Sequence, residues 1–594
     1  MFDSIKNFMQ KICNNCGQNF EISKDDLDFL EKISPKIKNK VYKISPPTFC
    51  PDCRMQRKMS FRNERFLYTR KCDLCEKPSI LLYSPDKKYT VYCRSCWWKD
   101  SFDPLDFGQE YNFEQSFFEQ FDQLLYKVPL LGLWNLHSEN ADFNNNSFYL
   151  KNSYLNFNSD KSERIFYNYG VENGIDIFDC TFVHDSELCY ECIDCEKIYY
   201  CLFSQNLKNS NECYFSSDLI GCSRCFACHG LRNKDLYIFN QKVTLEQFHS
   251  EVKNLVFTHD LINEFKAKSR EVYLKIPKRF AQIFNCENAI GDQIRNCKNV
   301  INCFDCKDAE NVKNVIYGAF DNENILDSYG IGDVKWGYEI LGSGFDMHTN
   351  AFIINGGNGP SDSYYCIQCG QNSKNLFGCI GLRHKQYCVL NKQYNKEEYE
   401  KLVPKIIESM LRSTSYAGQV NQNGAVPHEA LAEWGEFFPS SMSPFAYNET
   451  VAMEEYPLSQ EEILKKGYKW QEEKIEIPKV AKIIPADKLP DKIVDIPNDI
   501  LNWAILPVDM PCQGIFTNRP FIIQKPELDF YRQMNLPIPH LHPDERYKKR
   551  MELRNPRRLW ERKCDKCGEA ILTTYSPDRK EIIYCEDCYL QEVY

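Results

Sequence analysis

From about residue 141 to 243 the chain shows no lasting helical period. Short aromatic and cysteine pieces alternate with Asn, Asp and Ser, as in Asn209-Ser210-Asn211-Glu212-Cys213-Tyr214-Phe215-Ser216-Ser217-Asp218. Such pieces return over 284–394 every ten to twelve residues: Lys298-Asn299-Val300-Ile301, Glu310-Asn311-Val312, Asn322-Glu323-Asn324-Ile325-Leu326. Short β pieces divided by Asn and Asp turns at steady intervals predict a parallel β-solenoid, with two pieces to a coil of about twenty residues. Stacking then buries apolar rungs that no single coil buries alone. An ordinary antiparallel β domain is the competing reading.

Helical periods flank these stretches. Leu27, Leu30 and Ile33 suit one helical face. Phe113, Phe117, Phe118, Phe121, Leu124, Leu125, Leu130, Leu131 and Trp134 predict a packed helical connector. Thr244-x2-Gln247 and Asn395-x2-Glu398 are capping-box starts for helices over Leu245–Val256 and towards Leu411, and a short helix is expected from Ser459 to Gly467. A polar stretch from Ser413 to Pro427 and a Lys/Ile/Pro run at 474–497 predict an arm or linker.

The middle is duplicated. Phe226-Ala227-Cys228-His229-Gly230-Leu231-Arg232 returns as Phe377-Gly378-Cys379-Ile380-Gly381-Leu382-Arg383, 151 residues later. So are the ends. Cys72, Cys75, Tyr83, Ser84, Pro85, Asp86, Lys88, Tyr92, Cys93 and Cys96 match residues at a constant offset, ending on Cys564, Cys567, Cys585 and Cys588. Two Cys-x2-Cys knuckles at this spacing close a tetrahedral thiolate cage around zinc. Cys13, Cys16, Cys50 and Cys53 supply another set. By spacing alone Cys50 and Cys53 also suit Cys72 and Cys75, but the C-terminal copy shows 72–96 to be self-contained. Three zinc ions per chain are expected.

The expected fold is multidomain and mainly β, with zinc ribbons at both ends of a duplicated solenoid. Its parts are tandem ribbons with a basic bridge (1–100), the connector (101–140), a first Cys-rich solenoid-like repeat with helices (141–283), a second with its C-terminal helix (284–412), the arm (413–510), and a degenerate ribbon followed by a zinc ribbon (511–594).

With 594 residues, 43% of them hydrophobic, the chain can bury several cores, and a net charge of −10 confines any polyanion-binding surface to a local patch. Such patches adjoin the ribbons. Arg54, Arg57, Lys58, Arg62, Arg65 and Arg70 precede Cys72, and Arg546, Lys549, Arg550, Arg554, Arg557 and Arg562 take the same offsets before Cys564. Bridges so cationic can dock on phosphates, which makes RNA or DNA the favoured partner. The alternative is a bridge that packs on the acidic remainder of the chain, leaving the solenoid face as a protein–protein scaffold.

Of the 30 cysteines, 18 lie outside the three quartets, some as close as Cys189-x2-Cys192-x2-Cys195. Buried thiols, further zinc and an iron–sulfur cluster are all open readings of them. The start of the chain has no apolar signal core, and no apolar run approaches a membrane span. A reducing cytoplasm and no membrane partner are therefore expected. Nucleophile elbow, phosphate loop, dinucleotide fingerprint and His-Glu-x2-His are missing, so the reading is non-catalytic.

The block from Pro537 to Tyr594, with Leu-Arg-Asn-Pro-Arg (553–557), Thr-Thr-Tyr-Ser-Pro-Asp-Arg (573–579) and Tyr-Cys-Glu-Asp-Cys-Tyr (584–589), resembles a group of largely uncharacterised bacterial zinc-ribbon proteins with a Cys-rich repetitive middle region. Pro444-Phe445-x-Tyr447-Asn448-Glu449-Thr450 is similar too. The resemblance implies fold and zinc. The chain departs from it at His542 and Glu545, where a second Cys-x2-Cys is expected; Cys512, His540, His542 and Glu545 remain there, and a metal-free packed remnant is the expectation.

Overall fold

The computed structural model describes residues 8–99, 102–253, 255–413, 432–472, 478–507 and 519–593. They form two compact units. Unit 1 joins the N-terminal ribbons to the second solenoid (residues up to 133, 281–471 and 557–559), and unit 2 joins the first solenoid to the C-terminal ribbon (134–280, 472–556 and 560–594).

Both solenoids stack parallel strands coil upon coil, and each ends in one antiparallel pair. In unit 2 Glu163 pairs with Ile175, Ile175 with Glu187 and Glu187 with Tyr199, twelve residues apart each time. The expected coil of about twenty is therefore corrected to twelve: each recurring piece is a whole coil. The cause is local backbone geometry. From Asn146 to Phe239 every third residue has φ between +46 and +69°. A left-handed residue at each third position turns the chain four times in twelve residues, which sets four short sides per coil. Each such residue other than Gly costs roughly 1–2 kcal/mol, least for Asn and Asp, and the sequence places Asn152, Asn158, Asn173, Asp176, Asp179 and Asp185 there. Continuous inter-coil hydrogen bonds offset the cost.

The residue after each corner points inward, so one coil encloses four side chains in its interior. Cys189, Cys192, Cys195 and Ile198 are one such set, none more than 2% exposed. So narrow an interior selects small side chains. One inward column reads Asn144, Asn156, Asn168, Cys180, Cys192, Ser204, Ser216, Cys228, and its side chains accept amides of the next coil: Cys180 N to Asn168 Oδ1 at 2.7 Å, Cys192 N to Cys180 Sγ at 3.3 Å, Cys228 N to Ser216 Oγ at 3.0 Å. Thiol, hydroxyl and amide are interchangeable there because each is small and accepts that bond.

Unit 1 builds its eleven-stranded sheet from Ile283–Phe284 to Lys392–Gln393 in the same way. Some of its coils have thirteen residues, as where Val334 pairs with Met347 and Ser361 with Lys374. Gly344, Gly357 and Gly370 stack where three of these extra residues fall; a Cβ on Gly370 would lie 2.7 Å from Gly357 Cα.

Helices cover the aromatic outer columns. Unit 1 uses α1 (Lys24–Ile33), α2 (Pro51–Met59), α3 (Phe117–Lys127) and α5 (Lys396–Arg412); unit 2 uses α4 (His259–Tyr273), α6 (Lys525–Gln533) and α7 (Pro543–Glu552). Phe117 of α3 meets Tyr365 and Phe377 edge-on, and Phe530 of α6 stacks on Phe178 at 3.9 Å. The capping boxes at Thr244 and Asn395 form, but the first helix is α only over Leu245–Phe248 and widens into a π turn over His249–Lys253. Within the connector only α3 is α-helical; Pro104–Phe107 forms a short 3-10 helix, and Leu130–Leu131 pairs with Val91–Tyr92 as strand. The short helix expected from Ser459 runs Gln460–Lys465. Most of the Ser413–Pro427 stretch lies outside the described residues.

Candidate metal centres and the basic helices

Three knuckle pairs converge as the spacing predicts. Cys13/Cys16/Cys50/Cys53, Cys72/Cys75/Cys93/Cys96 and Cys564/Cys567/Cys585/Cys588 each bring four Sγ atoms within 4.8 Å of one another. The contacts Cys16–Cys50, Cys75–Cys93 and Cys567–Cys585 measure 3.8, 3.9 and 3.7 Å. A tetrahedron with Zn–S bonds near 2.3 Å has edges of about 3.8 Å, whereas a disulfide needs about 2.05 Å. These quartets fit three structural zinc ions, closed by protein ligands with no open position.

The backbone prepares the thiolates. Cys50, Cys93 and Cys585 each donate their amide, at 3.2 Å, to Cys13, Cys72 and Cys564 Sγ. Burial opposes ionisation of Cys564, yet amide donors from Cys567, Cys585 and Lys566 bring its thiol down to about 6. Each first knuckle closes on a left-handed residue: Gly17 at +75°, Gly568 at +78°, and Glu76 at +57°. Among the described residues, no other group of three or more His, Cys, Asp or Glu converges so closely. Every solenoid cysteine stands at an inward position instead.

At the degenerate ribbon, His542 caps α7 by accepting Asp544 N at 3.2 Å, Glu545 is buried, and the rings of His540 and His259 meet at a tilt with centroids 3.8 Å apart. Cys512 lies outside the described residues.

The two basic bridges do not form cationic faces, and that expectation is corrected. Arg54, Arg57, Lys58 and Arg62 are 4, 3, 0 and 6% exposed, and Arg546, Arg550 and Arg554 are 5, 3 and 8%. In unit 1 Arg54 Nε meets Asp327 at 2.8 Å, Arg57 meets Glu436 at 2.8 Å and Glu339 at 3.3 Å, and Lys58 Nζ donates to Asp327 O at 2.5 Å. In unit 2 Asp179 takes both Arg546 and Arg550, the latter at 2.7 Å, and Arg554 Nε meets Asp194 at 2.9 Å. Arg557 pairs with Asp305 at 2.7 Å and with Glu455. Arg70 and Arg562 brace their own ribbons, Arg70 on Tyr89 O at 2.7 Å and Arg562 on Ser576 O at 3.4 Å. Arg65 is half-buried, and of the twelve only Lys549 is exposed.

The physical reason is the coil corner. Asp179, Asp194, Asp305, Asp327 and Glu339 all occupy left-handed positions, which aim carboxylates outward at regular spacing beneath the docked helices. Burial pushes Glu339 up despite Lys58, Arg57 and Arg54 beside it, pushes Asp179 up despite Arg546 and Arg550, and pulls Lys58 down. Desolvation thus consumes much of what the pairs gain. Their role is to fix the register of docking.

Two further carboxylates were not singled out by the sequence. Glu433 caps α3 by accepting Phe117 N at 3.0 Å and Phe118 N at 3.1 Å. Glu449, in the Pro-Phe-x-Tyr-Asn-Glu-Thr segment, holds Lys87 at 2.7 Å and Tyr68 at 2.8 Å, clamping the second ribbon.

No helix among the described residues is long and apolar enough to cross a membrane. Compared with known proteins, the chain matches no family model and no curated sequence.

Proposed function

We propose that the protein is a non-catalytic interaction scaffold whose zinc ions are structural and whose solenoid faces receive protein partners in a reducing, cytoplasmic setting. One observation carries this reading: both basic helices, the chain's best surfaces for phosphates, are buried on corner carboxylates of the coils. What stays outward is a regular polar lattice, including the ladder Asn288 to Asn299 to Asn311 to Asn324, with links of 3.1, 3.0 and 3.3 Å. Exposed Glu287, Lys298 and Glu310 lie beside it. A rigid row of amides and charges offers directional contacts without a pocket. The free thiols of the coils fit the reducing setting.

The test is fluorescence anisotropy of structured RNA, single-stranded RNA and duplex DNA against zinc-loaded protein across a salt series, with cross-linking mass spectrometry in native lysate. The scaffold reading expects no salt-sensitive nucleic-acid binding, and protein cross-links at outer coil lysines such as Lys298. Micromolar binding that weakens steeply with salt would refute it.

A further inference from the structure

Helix α2 belongs to two structures at once. Its N-cap residue is Cys50 and Cys53 lies in its first turn, yet the Cys50 side chain makes no capping hydrogen bond, so the thiols of this end serve the metal quartet. From Cys53 to Met59 every residue is buried, and the same turns carry Arg54, Arg57 and Lys58 onto Asp327, Glu339 and Glu436. A second link runs through Thr48, whose carbonyl accepts Asn14 N at 3.1 Å inside the knuckle and whose amide and hydroxyl donate to Glu436 at 3.1 and 2.6 Å. A nine-residue helix is marginal alone, and its buried ion pairs hold only while the fit is kept.

The counterpart in unit 2 is built without metal. α7 starts at His542, which caps it through Asp544 N, and Arg546 and Arg550 dock on Asp179. Tyr167 and Tyr531 tie Glu527 beside them, each at 2.8 Å. The same docked helix therefore exists in one chain in a thiolate-anchored and a thiolate-free form.

We propose that the Cys13/Cys16/Cys50/Cys53 centre is a zinc-operated latch: loss of that ion releases α2 from the coils of unit 1 and uncovers Asp327, Glu339 and Glu436, while α7 stays docked on unit 2. Loss of that zinc thereby converts a closed, charge-balanced face into an acidic one.

The test is hydrogen exchange by mass spectrometry on the full chain, with zinc counted by elemental analysis, in the wild type and in the C13S/C16S variant. The expected result is two zinc ions rather than three, at least tenfold faster exchange over residues 51–62, and less than twofold change over 543–554. Unchanged protection of 51–62 in the two-zinc protein overturns the latch. Equal loss over both helices overturns it as well, because the opening is then global. Should the variant fail to fold, graded chelation of the wild type reads the same pair of segments: 51–62 must open first and close again on adding zinc, and simultaneous opening refutes the proposal.

Discussion

The weight of the buried ion pairs is open to direct measurement at Asp179. Its side chain is fully buried between Arg546 and Arg550. Asp179→Asn preserves size and tolerates the φ of +52° at this corner, so the perturbation is one charge. Removing one partner of a buried pair costs roughly 3–5 kcal/mol. Arg546 keeps Glu527 at 3.8 Å and Arg550 keeps Tyr167 O at 2.9 Å, which argues for the lower half, about 3–4 kcal/mol. That is a large share of a domain's ~5–15 kcal/mol.

A chain of two units need not unfold in one step, so the assay is native-state hydrogen exchange over residues 543–554. At about 1.4 kcal/mol per decade, opening there should become roughly 100–1000-fold more frequent. Asp176→Asn is the control: its partner Arg164 is 42% exposed, and a loss below about 1 kcal/mol is expected. Replacing Asp179, Arg546 and Arg550 together by apolar residues of similar volume should recover most of the loss. An Asp179→Asn protein within tenfold of wild type, or an equal effect at Asp176, would refute the reasoning.

Replacing Cys585 and Cys588 by Ser should lower the zinc count from three ions to two by elemental analysis, with local unfolding confined to the last ribbon. Gly370→Ala places a Cβ 2.7 Å from Gly357 Cα and should cost about 1–3 kcal/mol in chemical denaturation; Gly17→Ala meets no atom within 4 Å and should cost only its backbone strain, about 1 kcal/mol. Glu76→Gly relieves a non-glycine left-handed knuckle and should raise zinc retention under chelator by up to about 1 kcal/mol. Burial first, and Lys278 second, hold His229 down to about 3. Its folded value is below the unfolded one, so its contribution is whole above pH ~6.5 and falls as pH drops towards 3, by up to about 5 kcal/mol; His229→Gln should flatten that part of a stability-versus-pH curve, and an unchanged slope would count against it.

The quartets were legible because zinc demands four thiolates at narrow spacing, and the duplication separated Cys50 and Cys53 from Cys72 and Cys75. The solenoid was legible from recurrence, but its coil length was not, because Phe182, Tyr200 and Phe215 occupy corners as readily as Asn and hide the three-residue period. A cleaner signal lay inward: Cys189, Cys192, Cys195, Ile198 and Cys201 recur every third residue and are all buried. Gly344, Gly357 and Gly370, thirteen apart, marked the longer coils of unit 1. The burial of Arg54 and Arg546 was hidden because their partners, Asp327 and Asp179, lie hundreds of residues away and look like ordinary turn residues.

Those partners also explain how two similar ribbons settle on the right solenoids. Asp179 and Glu191 of unit 2 correspond to Asp327 and Glu339 of unit 1, 148 residues on in both cases, so both solenoids carry acids at the same pair of corners, although in unit 2 Asp179 takes the basic helix while Glu191 holds Lys266 of α4 at 2.7 Å. One corner further the two diverge: Asp194 in unit 2 corresponds to Gly342 in unit 1. Arg554 needs that aspartate, its partner at 2.9 Å. Arg62 instead meets its own Glu64 and lies over Gly342, where any Cβ would fall 1.9 Å from Nη1. A ribbon on the wrong solenoid would therefore bury Arg554 without its acid or drive Arg62 into a side chain. The shared acids attract either helix, and this one corner rejects the wrong one, so specificity comes from the mismatch rather than from stronger contacts in the right pair.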